Sequence, residues 1–237
     1  MKPYLPMLVA VMLCGMRKSI QAELDGFFGH LQQQASLARE VSVQAFASAH
    51  AELADTALPS LNDWLLARAE RDGQVARWHG LRLVAADATT VRFGLRASHV
   101  PRAVAADQIA FGLYLPGVEM MLAASLHSPR ENERQMLFEH LDQLGAQDLL
   151  LLDRGYPCRW LPSLLAKHGI SFCIRVEKTG NGGFACVRDF LRSGRTERVV
   201  ELRAADRADA VDYECNRQST AVRLVRHIAS TAQNPVR

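Results

Sequence analysis

Two aspartates of this chain each follow a short apolar run directly, and their type and position suit metal chemistry. Asp87 comes after Leu-Arg-Leu-Val-Ala-Ala, and Asp153 comes after Asp-Leu-Leu-Leu-Leu. Short apolar runs of this length predict buried β-strands. Two carboxylates brought together by adjacent strands repel each other unless a cation lies between them. The pair is therefore predicted to hold a divalent metal ion and to act on phosphate esters.

The segments around these aspartates show first a helical and then a strand-like periodicity. Residues 3–79 carry four amphipathic stretches, the third beginning near Ser42 and the fourth near Leu61. Ser128 is predicted to cap a helix that starts at Pro129 and stops at Gly145, and a second helix is predicted over residues 159–168. Strands are predicted over residues 81–86, 89–95, 109–115, 118–126, 149–152, 170–176, 198–203 and 220–228. The first two could form one hairpin, the next two are predicted to form a second hairpin, and residues 180–183 are predicted to be a loop.

The order of these elements predicts an α/β fold with three parts. From residue 81 the order is at least three strands, a helix, a strand, a helix and a strand, which fits a ribonuclease-H-like core with a mixed sheet. The first and fourth strands are neighbours in that fold, which would bring Asp87 and Asp153 together. We predict a helical region over 1–79 that is a candidate for DNA binding, the catalytic core over 80–178 and a partial β-rich insertion over 179–237.

Several segments together resemble a known family of enzymes. They are residues 87–90 (Asp-Ala-Thr-Thr), 150–157 (Leu-Leu-Leu-Asp-Arg-Gly-Tyr-Pro) and 172–176 (Phe-Cys-Ile-Arg-Val), with the helical stretches 19–28 and 41–61. On these segments the chain resembles the bacterial insertion-sequence transposases of the DDE type, specifically the insertion-sequence-four group. The stretch around Asp153 is the most specific part of the resemblance.

The resemblance implies a DNA transposase that cleaves and rejoins phosphodiesters at the ends of an insertion sequence. Asp87 and Asp153 would be the catalytic ligands of Mg²⁺ or Mn²⁺. Arg154 would contact a DNA phosphate, although it could equally pair with Asp153. Tyr156 could stack on a base or simply pack in the core. The implied partners are double-stranded DNA with terminal inverted repeats and further copies of the chain on that DNA.

The third carboxylate of the family has no match in this sequence. The family carries it as a Glu within Tyr-x2-Arg-x3-Glu-x6-Lys, on a helix beyond the β-rich insertion. The remaining acidic candidates are predicted to be surface charges: Glu177, Asp189, Glu197 and Glu214. We therefore expect a C-terminally truncated copy with little or no turnover alone. The alternative is a non-catalytic DNA-binding or dimerising remnant that modulates a full-length transposase.

Composition adds little about function. The 237 residues carry a formal net charge of +3, which is too small to predict a polyanionic partner. The five cysteines show no zinc-type spacing, so free thiols in the cytoplasm are expected, and Cys158 is interpreted as a packing residue. The spacing of His99, His127 and His140 matches no common metal site. Trp160 could stack on a base, but packing is favoured, and Arg134 is predicted to lie on an exposed helix face with Arg130 and Glu131. Residues 1–16 resemble a secretory signal but lack a cleavage site, so a buried helix is favoured over export. The apolar run is too short to span a membrane.

Overall fold

The computed structural model describes residues 5–14, 18–31, 41–92, 107–177 and 184–227. These residues form eight α-helices, a six-stranded mixed sheet and a two-stranded sheet, so the predicted mixed α/β class is confirmed. By its internal contacts the chain divides into two units, Met1–Asn62 and Asp63–Arg237. The domain boundaries predicted at residues 79 and 178 stay predictions. His99, residues 93–95 of one predicted strand and the predicted loop 180–183 lie outside the described residues.

The first four helices occupy the stretch where helical periodicity predicts them. They are α1 (Leu5–Leu13), α2 (Ile20–Leu31), α3 (Val43–Ala51) and α4 (Ala57–Arg71). The third helix begins next to Ser42, as predicted, and the Ser42 hydroxyl caps it by accepting a hydrogen bond from the Ala45 N–H at 3.2 Å. Helix α4 begins four residues before its predicted start because Pro59 is tolerated within a first helical turn. No helix among the described residues is long and apolar enough to cross a membrane.

The strands of the large sheet are added first on one side of a central strand and then on its other side. Its strands are β1 (Arg77–Trp78), β2 (Leu81–Val91), β3 (Gln108–Leu115), β4 (Met120–His127), β5 (Asp148–Leu152) and β6 (Ser171–Ile174). Their order is β4-β3-β2-β5-β6, with β1 paired to β2. Strand β2 is antiparallel to β3 and parallel to β5, and β6 is parallel to β5. The chain therefore builds one side of β2 first and then crosses to build the other.

Strand β2 is longer than the sequence pattern predicts. The hairpin predicted between residues 81–86 and 89–95 is wrong, because β2 continues through Asp87 to Val91 and pairs with β3. Ala88 offers no turn chemistry, and the β-branched residues Thr89 and Thr90 favour continued extension. The second predicted hairpin is confirmed, since β3 and β4 pair antiparallel.

The helices α5 (Glu133–Glu139) and α6 (Trp160–Lys167) of the second unit, Asp63–Arg237, pack on the large sheet, and capping residues set one end of each helix. Helix α5 starts after Asn132, whose side chain accepts a hydrogen bond from the Arg134 N–H, and not after Ser128. Ser128 instead closes an isolated turn, in which its N–H donates to a Glu131 carboxylate oxygen at 3.0 Å. Helix α6 ends at Gly169, whose φ of 68° is the left-handed conformation that glycine adopts easily.

The core of this unit lies between the sheet and these helices. Its side chains include Val84, Phe111, Leu137, Leu150 and Leu161, none more than 1% exposed. Fully burying one such side chain stabilises the fold by about 1.5–3 kcal/mol. The buried residues of β2 and β5 alternate along each strand, so the residue after each last buried position turns away from the core.

The last described segment contains two helices that the sequence pattern does not predict. They are α7 (Ala185–Arg192) and α8 (Arg207–Asp212). Helix α7 precedes strand β7 (Glu197–Leu202) in the chain, and α8 lies between β7 and β8 (Thr220–Val225), which pair antiparallel. Helix α7 has only eight residues, and only Val187 and Phe190 are buried on it. Eight residues make little more than two helical turns, which is shorter than the window needed to distinguish a helical period from an irregular segment.

Candidate active site

The two predicted aspartates lie at the same edge of the large sheet. Strands β2 and β5 pair in parallel from Arg82 opposite Asp148 to Ala85 opposite Leu151. Asp87 and Asp153 each lie two positions beyond the last β2–β5 pair, Ala85 opposite Leu151. Asp87 is still inside β2 and pairs with Gly112 of β3, whereas Asp153 follows the end of β5. Both residues are exposed to solvent. They lie where the parallel β2–β5 pairing ends, between the two strands at which the winding of the sheet reverses.

Neither aspartate is neutralised by a basic side chain in the described part of the chain. Asp153 Oδ1 accepts a hydrogen bond from the Gly155 N–H at 2.6 Å, and Asp87 Oδ1 accepts one from the Ala88 N–H at 2.9 Å. The guanidinium of Arg154 lies 3.8 Å from a carboxylate oxygen of Glu177. Arg154 is therefore directed toward Glu177, and its contact with DNA phosphate stays a prediction.

A third aspartate on the same strand shows how the fold treats a structural carboxylate. Asp148 begins β5 and is 3% exposed. Its two oxygens accept hydrogen bonds from Nε and Nη2 of Arg82 at 2.7 and 3.0 Å, and one also accepts the Gly145 N–H at 2.9 Å. This bonding raises the pKa of Arg82. The buried carboxylate at one end of β5 is fully paired, whereas Asp153 at the other end has no cationic partner among the described residues.

Glu133, the first residue of α5, lies beside Asp153. A Cβ atom built on Gly155 would stand 3.0 Å from Asp153 Oδ1 and 3.2 Å from Glu133 Oε2, so both carboxylates flank the same point. Burial raises the pKa of Glu133 above its ordinary value, and the charges of Asp153 and Asp87 raise it further. Glu133 is half-buried. The three carboxylates thus form one acidic group, which we call the acidic cluster: Asp87, Asp153 and Glu133.

Arg134 fixes this arrangement. Its guanidinium donates hydrogen bonds to the carbonyl oxygens of Gly155, Tyr156 and Pro157 at 2.8, 3.2 and 3.2 Å. These bonds attach the start of α5 to the turn that follows Asp153, and so place Glu133 next to that turn. The sequence predicts Arg134 to be part of an exposed helix face, which is wrong because its guanidinium is turned inward onto these carbonyls.

Tyr156 lies beneath the acidic cluster. Its side chain is 0% exposed, and its hydroxyl has no hydrogen-bond partner among the described residues. Burial raises the pKa of Tyr156, and the further charges that raise it are those of Glu133, Asp87 and Asp153. The ring packs in the core, which is one of the two roles that the sequence suggests for it, the other being stacking on a DNA base. The assignment of Tyr156 to DNA binding stays a prediction.

Other candidate residues do not join the cluster. Trp160 is buried and stacks on Tyr213, with their ring centroids 3.7 Å apart. His127 bonds to Ser125 and Glu131. Burial raises the pKa of the Cys158 thiol to about 11, so the thiol is not activated as a nucleophile. The acidic residues considered for the third carboxylate are all exposed, as predicted for surface charges: Glu177, Asp189, Glu197 and Glu214.

The carboxylates of the cluster fit a divalent cation by their chemistry. Mg²⁺ prefers oxygen ligands and often takes only one or two carboxylates while keeping several waters. Asp87 and Asp153 supply such oxygens without a competing cation in the described residues. In the conformation described, no three His, Cys, Asp or Glu side chains of residues 5–14, 18–31, 41–92, 107–177 and 184–227 converge closely enough to hold one metal ion.

The raised pKa of Glu133 makes a prediction about stability. The raised pKa means that the folded protein binds the proton of the Glu133 carboxyl group more tightly than the unfolded chain does. The stability that comes from this bound proton is therefore lost as pH rises through the folded pKa. In metal-free buffer, Glu133→Gln should therefore raise the free energy of unfolding at neutral pH, and this gain should vanish below about pH 4. Urea denaturation across this pH range measures it. Glu139→Gln, on the same helix, should show no such pH-dependent gain, and an equal gain in both variants would contradict the prediction.

Comparisons with known proteins add no relative. No protein-family model matches the sequence, and no curated protein matches it.

Proposed function

We propose that this protein is a metal-dependent enzyme that cleaves and rejoins DNA phosphodiesters, as the DDE transposases do. The observation that carries the proposal is the β2–β5 register, which brings Asp87 and Asp153 each two positions beyond its last pair, where the parallel pairing ends. Ligands of open α/β sheets bind outside the carboxyl ends of the strands where the winding reverses. The large sheet reverses between these two strands.

The sheet topology supports the ribonuclease-H-like part of this proposal. Three antiparallel strands, β2 to β4, are followed by α5, then by β5, α6 and β6, with β5 placed next to β2. This is the strand order that the resemblance implies. The resemblance around Asp153 and this order are separate observations, because one rests on residue identities and the other on backbone pairing.

The residues of the chain would each have a distinct part in the reaction. Asp87 and Asp153 would hold the divalent ion, usually Mg²⁺, which when bound activates the attacking oxygen and stabilises the leaving oxygen. The Gly155 N–H holds Asp153 Oδ1 in one orientation. Arg154, whose side chain is 64% exposed beside Asp153, would approach a DNA phosphate after leaving its weak pairing with Glu177.

An assay of DNA cleavage tests the proposal. The purified full chain should nick supercoiled or short duplex DNA when Mg²⁺ or Mn²⁺ is present, and chelation with EDTA should abolish the nicking. Ca²⁺, a larger ion with looser geometry, should support DNA binding without cleavage. Duplex binding without cleavage in either metal would favour the non-catalytic remnant. The absence of both binding and cleavage would contradict a DNA-acting function.

A further inference from the structure

We propose that Glu133 is the third carboxylate of the metal site and holds a divalent cation together with Asp153. This inference rests on the proposed function, and it changes one expectation from the sequence. The missing Tyr-x2-Arg-x3-Glu-x6-Lys motif predicts a site with two carboxylates and little turnover. With Glu133, the described residues supply three carboxylates around one edge of the sheet.

The geometry at Gly155 is the first observation in favour. Asp153 Oδ1 and Glu133 Oε2 both lie close to the position that a Cβ atom on residue 155 would take, at 3.0 and 3.2 Å. A side chain at position 155 would press on both oxygens, and glycine leaves that space open. Both oxygens would move closer to a shared ion, since Mg²⁺ binds oxygen at about 2.0–2.1 Å.

The way Glu133 is held is the second observation. Arg134 stands next to it, yet the Arg134 guanidinium is committed to the carbonyls of residues 155, 156 and 157. Among the described residues Glu133 has no ion pair, unlike Glu70 and Asp148, which contact Arg82. A structural carboxylate would be expected to pair as those two do. Glu133 is instead held near two further carboxylates.

The third observation is independent of the acidic residues. Tyr156 is completely buried next to the cluster, and its hydroxyl has no partner among the described residues. Leaving a buried hydroxyl without a hydrogen bond is unfavourable, so such a group points to a missing acceptor. A water on the bound ion, or a carboxylate oxygen drawn inward by that ion, would supply one.

Binding of Mn²⁺ tests the inference without relying on activity. Titration calorimetry of Mn²⁺ into the full chain, with electron paramagnetic resonance to count bound ions, should show binding to the wild type. Glu133→Gln should weaken the Mn²⁺ affinity at least about tenfold or remove one of two bound ions. Glu139→Gln is the matched control on the same helix and should bind as the wild type does. Gly155→Ala should weaken binding as well, because its methyl group separates the two oxygens.

The outcomes separate this inference from the proposed function. If Asp87→Asn loses Mn²⁺ while Glu133→Gln keeps the affinity and ion count of the wild type, the role of Glu133 is overturned and the two-aspartate site stands. If the wild type binds no Mn²⁺, both proposals fail. Thermal melting in metal-free buffer checks that each variant is folded, and Glu133→Gln should melt no lower than the wild type.

Discussion

Replacing Asp153 by Asn is expected to abolish metal-dependent DNA cleavage while leaving the fold intact. The amide oxygen of the new side chain would still accept the Gly155 N–H that Asp153 Oδ1 accepts at 2.6 Å, so the turn after β5 keeps its hydrogen bond. The lost negative charge would remove a ligand of the proposed metal ion. A bound ion supplies several kcal/mol of transition-state stabilisation, and about 4 kcal/mol corresponds to about a 10³-fold loss of rate.

Two control variants make this result specific. Asp87→Asn should show the same loss, because Asp87 and Asp153 each lie two positions beyond the last β2–β5 pair and would share the ion. Asp63→Asn changes an exposed aspartate of α4 and should leave the cleavage rate unchanged. Initial rates on a labelled duplex, with DNA binding measured in parallel, provide the measurement. Cleavage by Asp153→Asn at close to the wild-type rate would refute the ligand role of Asp153.

Replacing Asp148 by Ala should destabilise the protein strongly, in contrast to Asp153. Asp148 is buried and bonded to Arg82 through both oxygens. Its removal would leave the Arg82 side chain, 19% exposed, with the more distant Glu70 at 3.4 Å as its one ion-pair partner among the described residues. Breaking such a pair costs about 3 kcal/mol of the free energy of unfolding. Asp153→Asn should change that free energy by no more than about 0.5 kcal/mol.

A double-mutant cycle separates the pairing from the loss of packing. Arg82→Met combined with Asp148→Ala should cost less than the sum of the single variants, by about 0.5–3 kcal/mol, because neither group is then left buried without its partner. Urea denaturation gives the four free energies. If Asp148→Ala costs under about 1 kcal/mol, or if the two changes add without coupling, then the ion pair does not carry the expected stability.

The central pair of the site is predictable from sequence because it depends on strands. An unbroken apolar run such as Leu149–Leu152 has few alternatives to a buried strand, and two such strands with parallel pairing bring Asp87 and Asp153 to one edge. The extent of β2 is less predictable, since the sequence between Ala86 and Val91 contains no residue that excludes either a turn or a continued strand.

The position of Glu133 is not predictable from its sequence neighbours. It follows from three hydrogen bonds between Arg134 and the carbonyls of residues 155, 156 and 157, which join segments about twenty positions apart. Any exposed helix can begin with Glu-Arg, so the dipeptide alone gives no sign of such a contact. The predicted start at Ser128 also places Glu133 inside a helix rather than at its end.

The most direct test of the account is the location of a bound metal. Crystals of the full chain grown or soaked in Mn²⁺ should show an anomalous scattering peak beside Asp87 and Asp153, where the parallel pairing of β2 and β5 ends. Oxygens of Asp87 and Asp153 are expected to coordinate this ion, at about 2.1 Å as for a small hard cation. An ordered sheet edge with no peak near either aspartate, at a Mn²⁺ concentration that supports cleavage, would contradict it.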